Sequence, residues 1–373
     1  MMFPVDFLNQ MEARYPGVLS TMQHSKNPLM YMMQRNIPVS AFSGMIALMH
    51  WRNEKIIYNF EPRIASEIME QTDAPDRIFP LSCIRQLPYP CIAVKVSPVS
   101  IIDPATQKPL EYYTGNAFLW LDNACLYSAW QAEEDGDHYL VSKVDISDNL
   151  ALDDIFDSLM VENLKQFSDQ EISEIKQLLG IKRFNELRIF EHDGEPLKKR
   201  FGNRIQEIYR AIRIASVQDV LTQRALHIIL YLGCENADIE SAEEKLKNSA
   251  WSTIVGGVPR YVKRPERRQA MKEVKGCHIM DVGYRIAGHY TRSFSSSDDK
   301  NQAGNGSGRT QGYSKRRAHF HHFWIGPKNG VLADDIMNPK AGERGLRLRW
   351  IEATEIHPEL RDENATIINV GKL

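Results

Sequence analysis

The stretch AFLWLDNACLYSAWQ, Ala117 to Gln131, holds two apolar, aromatic-rich runs on either side of Asp122–Asn123. Each run is of strand length, and Asp-Asn is turn chemistry, so the stretch reads as a β-hairpin. The same character recurs in CIAVKVS (91–97) and HYLVSKVDI (138–146), with a second hairpin tip expected at Asp135–Gly136. An antiparallel sheet over about residues 91–146 follows.

Outside this block the period changes to that of a helix. Residues 1–80 look helical with proline breaks. Phe42, Met45, Leu48 and Met49 fall at helical spacing, and Pro62 stands where a first turn tolerates it. This region is rich in methionine (Met30, Met32, Met33, Met45, Met49), a residue that fills irregular cores and also lines adaptable peptide grooves. Beyond Asp153 helices return. Ser168 to Glu171 form a capping box that opens a helix ending at Gly180. Phe201–Leu232 is a long helical pattern that ends in HIILYLGCENADI (227–239), apolar all round and expected to be buried. The fold class is therefore α+β: N-terminal helices packed on an antiparallel sheet, a helical middle segment, and a small basic α+β C-terminal domain. The expected boundaries are 1–150, 151–250 and 251–373, with a flexible loop over the low-complexity residues 293–314.

With 43% hydrophobic and 25% charged residues the 373-residue chain has the composition of a soluble globular protein. No apolar run approaches the roughly 20 residues that span a bilayer. The first residues carry no basic segment ahead of an apolar one, so no secretory signal is expected. Five scattered cysteines (Cys83, Cys91, Cys125, Cys234, Cys277) without a CxxC read as reduced thiols, hence a cytoplasmic address.

The net charge of −2 conceals a division. Residues 256–350 carry 19 Lys/Arg against 8 Asp/Glu, leaving 27 cations and 40 anions for the remainder. Such asymmetry points to an anionic partner for the C-terminal third, unless the two parts simply attract one another.

The densest cationic motif is SKRRAHFHHFW, Ser314 to Trp324. As one strand it places Lys315, Arg317, His319, His321 and Phe323 on one face, and Arg316, Ala318, Phe320, His322 and Trp324 on the other. GLRLRWI (345–351) divides likewise into Leu346, Leu348 and Trp350 against Arg347 and Arg349. Pairing the two would oppose an apolar face to a cationic one bearing two histidines.

Four readings stay open. A metal site needs neutral ligands that converge, and the surrounding cations oppose a divalent ion, so neither metal nor cofactor is expected. A metal-independent ribonuclease would use His319 and His321 as acid and base, with Arg317 or Arg349 stabilising charge. RNA or partner binding would use Lys315, Arg316, Arg317, His319, His321, Arg347 and Arg349 as anion contacts, with Trp324 for stacking. An amphipathic strand with solvated cations, and Trp324 and Trp350 in the core, needs no function at all. No P-loop, dinucleotide fingerprint, nucleophile elbow or cysteine zinc motif is present, so the chain is not expected to be an enzyme unless it is a ribonuclease.

RRAHFHHFWIGP (316–327), the alternating LRLRWIEA (346–353) and the upstream DVGYRIAG (281–288) recur in this order in one known family, preceded by segments like LYLGCENADIE (230–240), YPCIAVKVS (89–97) and NAFLWLDN (116–123). The chain resembles the type V-A anti-CRISPR family that lowers the amount of the type V single-effector nuclease rather than blocking the assembled enzyme. The family's Arg-Gly-His-Trp-His stands here as Arg317-Ala318-His319-Phe320-His321, which keeps the arginine and both histidines. The resemblance spans about 88–350 and implies a mechanism. The protein would bind a segment of the effector as it is synthesised and trigger translation-dependent loss of its mRNA, in the cytoplasm of a bacterial host. Relatives occur on phages and plasmids. The implied partners are the nascent or full-length effector peptide and, through the basic third, the message or the ribosome.

Overall fold

A computed structural model describes residues 3–24, 28–37, 39–70, 87, 89–102, 109–122, 125–132, 138–145, 155–179, 194–241, 252–255, 258–261, 277–287, 314–316, 318–333, 339–352 and 354–356. The chain opens with four helices, α1 (Val5–Arg14), α2 (Val18–His24), α3 (Pro28–Gln34) and α4 (Val39–Glu54). Strand β1 (Ile56–Phe60) and helix α5 (Pro62–Met69) follow. Next comes the strand block, β2 (Cys91–Lys95), β3 (Val99–Ile102), β4 (Pro109–Asp122), β5 (Cys125–Ala132) and β6 (Tyr139–Asp145). Helices α6 (Ile155–Asn163), α7 (Asp169–Leu179), α8 (Gly194–Phe201) and α9 (Ile205–Leu232) make up the middle. The remainder is strands: β7 (Ile239–Ser241), β8 (Ser252–Val255), β9 (Val258–Tyr261), β10 (His278–Val282), β11 (Ser314–Arg316), β12 (His319–Ile325), β13 (Gly345–Ile351) and β14 (Thr354–Ile356).

The main sheet runs β6-β5-β4-β2-β1-β10-β7, with β3 also paired to β4. Its β2-to-β6 part is antiparallel, as the strand block predicts. Around β1 it is parallel, because β1 runs alongside both β2 and β10. The sheet is thus mixed. The helical pattern over 1–80 is interrupted by β1, a five-residue apolar run too short for its period to be read.

Both faces of the sheet are covered, which explains why AFLWL lacks polar alternation. Ile57, Ala93, Phe118 and Trp120 pack under α1 to α4 in one core. Their chain neighbours Tyr58, Val94, Ala117 and Leu119 join a second core with α5, α6 and α9. Burial of each such large side chain contributes about 1.5–3 kcal/mol.

Local chemistry sets the helix ends. The carboxylate of Glu61 accepts from the Arg63 and Ile64 amides (2.8 and 3.0 Å) ahead of Pro62 at the first helical position. Ser168 and Glu171 form the expected capping box, with the Ser168 amide 2.8 Å from Glu171 Oε2 and the Glu171 amide 3.3 Å from Ser168 Oγ. The long helical pattern starts at Ile205 rather than Phe201, because Gly202 adopts φ +55° and a 3-10 turn (Gly202–Arg204) separates α8 from α9. The hairpin tips at Asn123 and Asp135–Gly136, the C-terminal Gly180, residues 262–276 of the cationic C-terminal third and the loop residues 293–313 lie outside the described residues.

Candidate functional site

Strands β12 and β13 pair antiparallel from His319–Ile351 to Ile325–Gly345. Directly opposed residues share a face. Phe320 and Trp350 are therefore neighbours, their ring centres 4.8 Å apart and nearly perpendicular. Trp350 meets Tyr231 of α9 edge-on at 5.6 Å, and Phe320 lies 6.2 Å from His227 of the same helix. With Ala318, Leu346 and Leu348 these residues are buried, so the ribbon is anchored on the last turns of α9.

The opposite face carries His321 beside Arg349 and Phe323 beside Arg347, with His319 one rung further along. His321, Arg347 and Arg349 are exposed and His319 is half-buried. The separation of faces read from the sequence is what the ribbon has. Trp324 departs from that reading. It is 48% exposed, and the Arg344 guanidinium lies 4.3 Å from its ring centre. It stands one pair before the end of the ribbon, next to the Gly326 turn, with a cation over its ring.

The motif 314–324 is two strand segments, not one. Lys315 and Arg316 lie in β11, which pairs with β14, whereas β12 pairs with β13. Arg317, between them, lies outside the described residues. The backbone thus brings Lys315, Arg316, His319, His321, Arg347 and Arg349 onto one pair of adjoining ribbons.

Sequence reasoning passed over the residues that hold this ribbon to the rest of the molecule. They sit in the turn after α9. The Glu235 amide donates to the Leu348 carbonyl (3.0 Å). The Asn236 side chain donates to the Trp350 carbonyl (2.8 Å) and accepts from its amide (2.9 Å), in the manner of an extra strand. The Glu235 carboxylate then grips both exposed arginines, Arg347 Nη1 at 2.6 Å and Arg349 Nε at 3.0 Å. Hydrogen bonding to Arg349, reinforced by Arg347, holds that carboxyl below the usual range. The cationic face is thus partly neutralised by its own chain.

Asp238, 4% exposed, continues the turn. One of its carboxylate oxygens accepts from the amides of Arg285 (2.8 Å) and Ile286 (3.0 Å), capping the helical turn 284–287. The other lies 3.1 Å from Arg285 Nε. Its carbonyl accepts from the Gly283 amide (2.9 Å), and Gly283, at φ +79°, has no room for a Cβ, which would come within 2.8 Å of Ile64. Residues 234–239 and 281–287 are therefore one structural unit. The available signal was a string of polar residues immediately after an apolar helix end, where orphan carbonyls and a buried turn need partners.

His227, 5% exposed, has a buried Nδ1 without a hydrogen-bond partner, and burial lowers its pKa to about 4. The neighbouring Arg224 charge acts in the same direction, and a hydrogen bond involving Met69 opposes it. An unfolded histidine titrates near 6.5, so between about pH 6.5 and 4 the unfolded chain binds the extra proton. This stability is present above pH 6.5 and is lost on acidification, by roughly 2–3 kcal/mol between pH 7 and 4.5. Urea unfolding of the wild type and His227→Leu at both pH values checks it. The variant should lose less stability on acidification by that margin, and equal losses would refute the assignment.

Among the described residues no group of three or more His, Cys, Asp or Glu is placed to hold a metal ion. No helix among them is long and apolar enough to cross a membrane. The N-terminal layer offers a separate feature, a cleft of about 390 Å³ along α4 lined by Ile46, Met49, His50, Arg52 and Asn53. Met30 and Met33 of α3 are exposed at 53% and 65%.

Comparison with known proteins places this arrangement. No curated protein and no solved structure gives a significant match to the chain. Residues 58–358, from within β1 to just beyond β14, match the AcrVA2-like family, the anti-CRISPR type V subtype A2 family. That span contains the ribbon, the turn after α9 and DVGYRIAG. The chain belongs to this anti-CRISPR family.

Proposed function

We propose that the protein inhibits type V-A CRISPR by lowering the supply of the effector nuclease: it captures a segment of the nascent effector polypeptide and brings about loss of the transcript. The family membership over 58–358 supports the inhibition of type V-A CRISPR. The division of charge supports a two-part machine, in which the first two thirds, acidic as a whole and methionine-rich at their start, hold a peptide and the basic C-terminal third faces the message or the ribosome. The exposed Met30 and Met33 and the α4 cleft are where a peptide would be held, since methionine surfaces adapt to varied sequences. Residues 1–57 fall outside the family match, which suits a part that sets partner choice.

Co-expression with a type V effector tests this. Effector protein and effector mRNA should both fall, and a synonymous recoding that preserves the peptide should not protect the message. An unchanged mRNA level would overturn the proposal.

One observation favours a second reading. His319 and His321 share the solvent face with Arg349, the parts that metal-independent cleavage of RNA requires. Purified protein that cleaves RNA in EDTA, and loses that activity in His319→Ala and His321→Ala, would establish it. No cleavage would dismiss it.

A further inference from the structure

Exposed arginines ordinarily point separately into water, but two on this ribbon converge on one carboxylate. Arg347 and Arg349 stand two residues apart on the same face of β13, 49% and 52% exposed, and each holds a different oxygen of Glu235. Glu235 does not arrive there by free motion of a long side chain. Its own amide is bonded to Leu348, and the next residue is bonded twice to Trp350, so the turn after α9 delivers the carboxylate to the two guanidiniums. Two guanidiniums meeting two oxygens is also the geometry in which arginine binds phosphate.

The surroundings fit a nucleic-acid strand. His321 is directly opposite Arg349 and Phe323 directly opposite Arg347. The Arg349 guanidinium lies 5.0 Å from the Phe323 ring centre, which puts a flat cation and a flat ring side by side. At the turn end, Lys328 and Lys340 are exposed in the loop that joins the two strands, and Arg344 lies over the half-exposed Trp324 on the other face of the ribbon. Cations interleaved with aromatic faces are how proteins hold single strands without reading their sequence.

We propose that Arg347, Arg349 and His321 form a phosphodiester cradle for single-stranded RNA, and that Glu235 is its built-in occupant, displaced when a strand binds. The proposal rests on the reading above that the basic part faces the message. An exposed ion pair contributes little to stability, so giving up the Glu235 contacts is cheap for a strand that brings several phosphates. A tethered carboxylate nevertheless competes at an effective concentration of about millimolar, which an isolated phosphate does not overcome. Glu235 thereby weakens the binding of single phosphates relative to chains of them.

Fluorescence anisotropy of purified full-length protein with a labelled single-stranded 20-mer RNA, over a range of salt, decides it. Glu235→Gln should bind about tenfold tighter at low salt, and AMP should begin to compete. Arg347→Ala and Arg349→Ala should each bind more weakly, with the salt slope reduced by about one. These two surface variants decide the matter even if Glu235→Gln does not fold: unchanged affinity in both would overturn the cradle. Weaker or equal RNA binding by Glu235→Gln with a wild-type melting temperature would overturn Glu235 as the occupant. Poly-glutamate that competes as well as RNA at equal charge would make the site one for acidic polypeptides and overturn the RNA assignment. Loss of the cradle with effector mRNA still falling in co-expression would leave the proposed function intact, so the two can fail separately.

Discussion

Replacing Trp350 by alanine is expected to lower the unfolding free energy by about 3–5 kcal/mol. Trp350 is 1% exposed and touches both sides of the joint between the ribbon and the helical layer, Phe320 on β12 and Tyr231 on α9. Truncation removes both ring contacts and leaves a cavity that the paired backbone of β12 and β13 resists closing. The bonds of the Asn236 side chain to the backbone of residue 350 survive the change, so the loss reports packing rather than pairing. Trp350→Phe separates the two components. It keeps a ring in place and removes an indole Nε1 that is buried without an acceptor, so it should cost less than about 1.5 kcal/mol. Denaturant unfolding measures both. A cost below 1 kcal/mol for Trp350→Ala would mean that the ribbon is not part of the second core.

Asp238→Ala should be comparably damaging, again about 3–5 kcal/mol, by a different mechanism. Its carboxylate satisfies two backbone amides of the turn 284–287, and Ile286 is buried, so alanine leaves the Ile286 amide with no solvent to turn to. It also strands the Arg285 guanidinium, although that group is largely exposed and its share is small. Asp238→Asn keeps an acceptor oxygen and should cost about half as much. Because β10 runs beside β1 and also pairs with β7, the damage should appear in the main sheet. Amide hydrogen exchange should speed up at 278–282 and 239–241. Equal stability of Asp238→Ala and the wild type would refute the capping role.

The strands around Asp122 were legible because their partners are neighbours in sequence. β4, β5 and β6 follow one another closely in sequence, and composition marks each. The parallel seam was not legible. Tyr58 lies beside Met280, more than 200 residues away, and nothing within IIYNF says which distant strand it will meet. The ribbon shows the same contrast. Alternation alone separated Phe320 and Trp350 from His321 and Arg349, since β-period fixes faces whatever the partner. It could not show that Glu235 neutralises Arg347 and Arg349, because that contact depends on where α9 ends relative to β13. Trp324 failed for a related reason: period assigns a face, but only the extent of the core decides whether that face is covered. Glu235, Asn236 and Asp238 carried a signal that spacing rules for catalytic motifs do not capture, namely polar side chains placed where a buried helix end must be satisfied.

The proposed inhibition acts on the effector while it is being made. Affinity capture of the tagged protein from translating cells that express a type V effector, with and without puromycin, tests it most directly. Effector mRNA should be recovered with the protein, and puromycin, by releasing nascent chains, should abolish the recovery. Recovery of the same mRNA in the presence of puromycin, or enrichment of no particular message, would contradict it.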